Sequence, residues 1–221
     1  MATKARKANH ERTTKETVIK VDLVIEGTGQ FKPKAPKSID IKKHKGIDFL
    51  FHMLELFTFH GLFDLTLEIK KADIGVDFHH TNEDIGIVLG IVFKKALANK
   101  GGIKRFGSAF APMESTLGHT VIDICGRGHS DLELNGQTAD TAPHINHQYD
   151  YTFQYLHHFL ESFAKQLGAT IIVNIKRPGG SIPELHEVVE TVFKSLGLAL
   201  DQATTIDPRR KTVPSTKGII D

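Results

Sequence analysis

The stretch that decides the fold is His79-His80-Thr81-Asn82-Glu83, because a matching stretch, His186-Glu187-Val188-Val189-Glu190, follows it in the same chain. A histidine in an apolar segment precedes each copy: His52 stands 27 residues before His79, and His158 stands 28 residues before His186. A Leu-Gly pair follows each copy, with its glycine seven residues beyond the last glutamate. The repetition predicts two duplicated halves that build metal sites together.

The order of the predicted elements repeats as well. Hydrophobic periodicity predicts a strand at 17–25, helix 49–59, strand 63–69 and helix 81–97, then strands 120–125 and 131–134, helix 152–167, strand 169–175 and helix 183–202. Thr81 and Asp84 have the spacing of a capping box at the start of the second helix. This order predicts one α+β domain of two similar halves, about 12–100 and 101–205, with helices on mostly antiparallel strands. The tail, 206–221, is polar and is expected to be flexible unless something binds it.

The spacing within each copy indicates how the side chains point. The first and last residues of each stretch are four apart, so on a helix they project from the same face. The intervening residues His80 and Glu187 point about 100° away and must serve a different partner. The pattern therefore predicts two metal ions. Each is bound by the i,i+4 pair of one copy and by the intervening residue, His80 or Glu187, of the other copy. The predicted ligands are His52, His79, His80, Glu83, His158, His186, Glu187 and Glu190.

Nitrogen and oxygen ligands of this kind suit Mn, Zn or Fe better than ions that prefer thiolates. The alternative is that His-His and i,i+4 His-Glu pairs are ordinary features of helix surfaces. Two copies in register favour a metal site over that alternative.

The composition is that of a cytoplasmic enzyme. A net charge of +2 with 24% charged residues gives no reason to expect nucleic acid. The single cysteine, Cys125, excludes an internal disulfide framework. No apolar stretch approaches the roughly 18 residues that a membrane span needs, and the basic start lacks the apolar core of a secretion signal.

Short motifs extend the pattern over about two hundred residues. They are RTTKET at 12–17, GIDFLFHM at 46–53, HGLFDL at 60–65, DFHHTNED at 77–84, GIKRFG at 102–107, DICGR at 123–127, ETVFK at 190–194 and PSTKG at 214–218. Each is weak alone, but the ordered series resembles the imidazoleglycerol-phosphate dehydratase family of histidine biosynthesis. The resemblance implies two pseudo-symmetric half-domains of the ribosomal protein S5 domain 2-like type.

The resemblance also implies a function and a set of residues for it. It implies a hydro-lyase that converts imidazole glycerol phosphate into imidazole acetol phosphate with two manganese ions per active site. Glu16 matches the family's acid/base glutamate, and the matches to its phosphate-binding set are Arg105, Arg127, Lys194, Ser215 and Lys217. A homo-oligomer of 24 subunits, built from trimers with shared sites, is implied as well.

The chain departs from the family pattern at several positions. Phe51 and Phe78 replace aspartates, Leu56 replaces a glutamine, and Ser115 lies in a changed Met-Asp-Glu-Ala-Leu motif. Glu187 replaces the second histidine of a His-His pair. Two functions therefore remain open: the dehydratase, and a divergent relative that binds a phosphorylated imidazole-like ligand without turning it over. RNA binding through the basic amino terminus is a third and weaker alternative, because similar halves occur in nucleic-acid-binding folds.

Overall fold

The computed structural model describes residues 5–37, 39, 43–75, 77–138, 148–178 and 183–220. The first half of the chain forms β1 (Lys7–Thr13), β2 (Val18–Val24), β3 (Phe31–Lys34), α1 (Lys45–Gly61), β4 (Asp64–Lys71) and α2 (His79–Leu97). The second half forms β5 (Phe106–Met113), β6 (Thr116–Asp123), β7 (His129–Leu134), β8 (Gln137–Thr138), α3 (Phe153–Leu167), β9 (Thr170–Lys176) and α4 (Leu185–Thr204). Within these ranges, no helix has the length and apolar character needed to cross a bilayer.

The two halves have the same topology. The first sheet has the strand order β1-β2-β4-β3, and the second has the order β5-β6-β9-β7-β8. In both sheets the first three strands of this order pair antiparallel. The fourth strand, β3 or β7, pairs in parallel with the third, β4 or β9. The predicted α+β architecture of two pseudo-symmetric halves is confirmed.

The helices lie between the two sheets. α2 packs on β1 and β2, α4 packs on β5 and β6, and the halves meet where α2 contacts α3 and α1 contacts α4. Alternation along β2 turns Ile19, Val21 and Leu23 towards this interior, where they are at most 2% exposed. Burial of these apolar side chains makes the main favourable contribution to the free energy that holds the halves together.

Glycines bring the facing helices unusually close. A methyl group on Gly197 of α4 would lie 2.4 Å from the carbonyl oxygen of Phe57 on α1, and one on Gly90 of α2 would lie 2.6 Å from that of Phe163 on α3. These are the glycines of the two Leu-Gly pairs. Each is eleven residues after the first histidine of its i,i+4 pair, so it lies on the same helix face. The face that carries the ligands is therefore the face that allows close approach.

The start of α2 corrects the capping-box prediction. The helix begins at His79, and its N-cap is Phe78, which makes no side-chain capping bond. The Asp77 carboxylate instead accepts a hydrogen bond from the His79 backbone N–H at 2.8 Å. Thr81 lies inside the helix, and its hydroxyl binds the backbone of Asp73. The two histidines join the first turn because Asp77, placed just before them, supplies the acceptor.

Hydrophobic periodicity does not predict the strands that begin each half. β1 has the sequence KANHERT, which is too polar to signal a strand, and it lies at the edge of its sheet. β5 is likewise an edge strand. An edge strand pairs on one side only and tolerates polar residues, as in β1. In β5 the buried positions hold only glycine and alanine, so its hydrophobic pattern is weak as well.

Candidate metal and substrate site

The first candidate metal group joins α1 to α4. His52 comes from α1, and the i,i+4 pair His186 and Glu190 comes from α4; one ligand atom of each lies within 4.8 Å of the others. His186 Nε2 is 3.0 Å from Glu190 Oε2, and His52 Nε2 is 3.8 Å from the same oxygen. Because Gly197 lets α4 approach α1, histidine side chains from two helices can reach one carboxylate.

The second candidate group joins α2 to α3 in the same way. His79 and Glu83 form the i,i+4 pair on α2, and His158 approaches from α3, again with one ligand atom of each within 4.8 Å. His79 Nε2 lies 3.5 Å from Glu83 Oε1. Thr152 caps α3 by accepting the Tyr155 N–H, and Gly168 ends it in a left-handed conformation at φ 75°, so both ends of the helix that carries His158 are set by local chemistry.

The two groups exchange histidines between the halves. His52 of the first half joins the pair of the second half, and His158 of the second half joins the pair of the first. The odd residues His80 and Glu187 lie outside both groups. Each group offers two imidazoles and a carboxylate, a donor set that suits a first-row transition-metal ion.

His80 belongs to a third group at the protein surface. Its Nδ1 lies 2.8 Å from Asp73 Oδ2 and 3.5 Å from Glu16 Oε2, and its side chain is 50% exposed. The hydrogen bond to Asp73 comes first among the causes that raise the pKa of His80, and the nearby charge of Glu16 adds to it. Nothing in the sequence pattern singles out Asp73, because a lone aspartate in a polar loop has no partner at a recognisable spacing.

Glu16 is carried by the turn between β1 and β2, and this turn is attached to α2. Asp84 on α2 accepts a hydrogen bond from Arg12 Nε at 2.7 Å and another from the hydroxyl of Thr17. The Thr14 hydroxyl in turn accepts the Glu16 backbone N–H at 3.1 Å. The motif at 12–17 therefore places the predicted acid/base group beside His80.

Glu187 faces the interior of its own half. Its Oε2 accepts hydrogen bonds from Arg177 Nη1 at 2.6 Å and from the hydroxyl of Thr116 at 2.8 Å. Its side chain is 9% exposed. Among the eight predicted ligands, all of which lie in the described ranges, Glu187 is the one that enters none of the three candidate groups.

Charges around the first group favour an ionised carboxylate. Burial by itself would raise the pKa of Glu190, but the hydrogen bond from Lys194 and the contact with His186 outweigh it, and the pKa falls below its ordinary value. In the second group, burial and the neighbouring His79 lower the pKa of His158. Both shifts favour the protonation states that bind metal, namely carboxylate and neutral imidazole.

The predicted phosphate-binding residues divide between two places. Arg105 makes a two-pronged ion pair with Asp123, at 2.6 and 3.0 Å, and its Nη1 donates to the Pro214 carbonyl at 3.0 Å. That last bond brings the tail with Ser215 and Lys217 to Arg105, and Arg127 is exposed in the loop after β6. Lys194 instead lies at the first metal group, with Nζ 2.5 Å from Glu190 Oε1.

Some of the residues that depart from the family pattern pack in the hydrophobic core. Phe51 is 6% exposed and meets the ring of Phe31 edge-on, with centroids 6.0 Å apart. Phe78 is equally buried and packs on Tyr151 and Tyr155. Leu56 is partly buried against the same core, whereas Ser115 is exposed in the turn before β6. The two phenylalanines therefore add apolar packing beside the metal groups and supply no ligand.

The chain is similar to known proteins over most of its length. Residues 45–200 match the family model of imidazoleglycerol-phosphate dehydratase. The chain is 41% identical over 215 residues to the imidazoleglycerol-phosphate dehydratases of Halalkalibacterium halodurans and Bacillus subtilis, covering 97% of this chain and 100% of each relative. The structure is similar to that of the Pyrococcus furiosus enzyme in complex with (S)-C348, with a TM-score of 0.70, 30% identity and coverage of 95% of this chain and 99% of that one.

Proposed function

The chain belongs to the imidazoleglycerol-phosphate dehydratase family, and on that premise we propose that it removes water from imidazole glycerol phosphate to give imidazole acetol phosphate. The reaction belongs to histidine biosynthesis, and we assign the enzyme to the cytoplasm. The observation that carries the proposal is the crosswise pairing of the two histidine groups, which builds two equivalent half-sites from a duplicated chain.

We propose that each of the two groups holds one manganese ion. His52, His186 and Glu190 would hold the first, and His79, Glu83 and His158 the second. When bound, the ions supply a Lewis acid that stabilises the substrate imidazole as an anion. Each group comes from one subunit and offers three ligands, so further ligands must come from elsewhere; His80, exposed beside Asp73, is suited to supply one to a neighbouring subunit.

Glu16 is the residue that we assign to proton transfer. Loss of water from two neighbouring hydroxyl-bearing carbons takes a hydrogen from one and a hydroxyl from the other, and leaves an enol. The enol becomes the ketone of the product when a proton returns to carbon. An exposed carboxylate fixed by the turn between β1 and β2 can accept the first proton and return it.

The phosphate would be held by the basic residues near the tail. Arg105 uses three of its five N–H groups on Asp123 and Pro214, and the remaining two can contact phosphate oxygens. Arg127, Ser215 and Lys217 complete this surface, while Lys194 would act at the first metal group. Because the two places differ, we propose that one active site combines residues of more than one subunit.

The outer faces of the two sheets support assembly into an oligomer. On the first sheet the outward residues are mostly polar, for example Lys20, Asp22 and Thr66. On the second they include Phe106 and Phe110, which are 58% and 61% exposed. An apolar face of this kind is typical of an interface. We propose a homo-oligomer, with 24 subunits built from trimers as the resemblance implies.

A paired assay separates the enzyme from a divergent binder. We expect the manganese-loaded protein to turn over imidazole glycerol phosphate, and Glu16→Gln to abolish turnover while binding of a phosphorylated triazole stays within several-fold. Arg127→Ala should weaken that binding by about 2 kcal/mol, because a charge-assisted phosphate contact is lost. No turnover above a metal-free control, together with intact binding of the triazole, would favour the divergent relative.

A further inference from the structure

The duplicated halves differ at the residue after the first histidine of each i,i+4 pair. In the first half this residue is His80, whose side chain is 50% exposed beside two carboxylates. In the second half it is Glu187, whose side chain is 9% exposed beside a guanidinium. Equivalent positions in the fold therefore carry opposite chemistry, and only the first presents a ligand at the surface.

The partners of Glu187 explain its inward direction. Arg177, just after β9, reaches Glu187 Oε2 at 2.6 Å, and Thr116, at the start of β6, donates to the same oxygen at 2.8 Å. Arg177 is itself held through its backbone N–H, which donates to Asn135 Oδ1 at 3.1 Å. The Arg177 side chain is only 16% exposed, so a turn of Glu187 away from it would break an ion pair between two largely buried groups.

In the first half the surroundings have the opposite sign. There, the turn after the first strand supplies Glu16, and the loop after β4 supplies Asp73, both next to an imidazole. In the second half the start of β6 supplies a hydroxyl, and the segment after β9 supplies a cation. Position 187 carries a carboxylate where position 80 carries an imidazole, and the charge of the surrounding groups changes with it, from anionic to cationic. This match is what an ion pair that stabilises the fold requires.

We infer that Glu187 is a structural carboxylate that binds Arg177 and not metal, so that the two metal shells are unequal. The inference rests on the proposed two-ion function. The shell that would draw on position 187 of a neighbouring subunit lacks that ligand, whereas the other shell can draw on His80. The two ions therefore bind with different affinities, and the weaker ion is lost first on dialysis.

Two measurements on the full-length protein test this inference: manganese calorimetry, and thermal melting of the metal-free protein. Glu187→Gln should leave the number of bound ions unchanged and both affinities within about threefold, well short of the 10–100-fold that disturbed metal sites show. It should lower the metal-free melting temperature by roughly 5–10 °C, because a buried ion pair is broken. Arg177→Met should lower it by a similar amount.

A double variant keeps the test valid if the single variants fold poorly. Glu187→Met with Arg177→Met removes both charges, and should melt near the parent temperature and still bind both ions. The inference is overturned if Glu187→Gln loses an ion or weakens one more than about tenfold, or if neither single variant alters metal-free melting. Glu190→Gln changes a proposed ligand and should lose or weaken one ion. If the parent protein itself binds fewer than two ions per chain, the two-ion proposal fails, whatever position 187 does.

Discussion

His158 Nδ1 lies 3.2 Å from His79 Nδ1, although 79 residues of sequence separate them. At this distance one imidazole donates a hydrogen bond to the other, so one of the two nitrogens carries a proton and the other does not. Both rings stand beside Glu83. The contact brings together two of the three residues that would hold the ion of the second metal group.

Loss of His158 should therefore remove one ion. We expect His158→Ala to bind one manganese ion per chain in place of two, because a group of three ligands drops to two. Metal content after equilibrium dialysis measures the effect. The control is His129→Ala, on the exposed part of β7, which should keep both ions. Full metal content in the His158 variant would contradict the assignment.

Close approach of the helices should be sensitive to one methyl group. We expect Gly197→Ala to lower the free energy of unfolding by about 1–3 kcal/mol, because the new Cβ overlaps the Phe57 carbonyl and α4 must move. Gly75→Ala is the control, since nothing lies within 4 Å of its added Cβ. Denaturant unfolding of metal-free protein measures both. An alanine at 197 that is tolerated as well as one at 75 would refute the packing argument.

Asp73 should affect the affinity for metal without being a metal ligand itself. Its carboxylate binds Nδ1 of the His80 ring, and the His80 side chain is half exposed. We expect Asp73→Asn to weaken manganese binding by about 10–100-fold, because a partner that orients a metal-binding histidine is weakened. Calorimetry gives the affinity, and Asp22→Asn on β2 should leave it unchanged. Equal affinities in the two variants would rule out a role for Asp73.

Arg105 should control the order of the tail. We expect Arg105→Lys to speed hydrogen exchange in residues 213–218, because lysine cannot hold both Asp123 oxygens and the Pro214 carbonyl at once. Mass spectrometry of the tail peptide follows the change. Arg6→Lys alters a similar arginine pair, with Glu26, in the first half and should leave tail exchange alone. Unchanged exchange in the Arg105 variant would show that the tail is held by other contacts.

The outer face of the second sheet should mediate assembly. Phe110 stacks on His119 with ring centroids 3.9 Å apart, and both lie on this face. We expect Phe110→Lys to reduce the particle mass seen by light scattering, because a buried charge opposes an apolar interface. Thr66→Lys, on the outer face of the first sheet, should leave the mass unchanged. A parent protein that scatters as a single 24.5 kDa chain would remove the premise.

The sequence alone determined the duplicated halves, most of the helices and strands, the family and the two i,i+4 pairs. These depend on local spacing, since residues four apart share a helix face in any packing. It did not determine that the halves exchange His52 and His158, because that depends on which helices the glycines bring together. Nor could it show that Glu187 turns to Arg177, ten residues earlier in the chain. The direction of a side chain is decided by the charges and space around it, and only the tertiary structure supplies those.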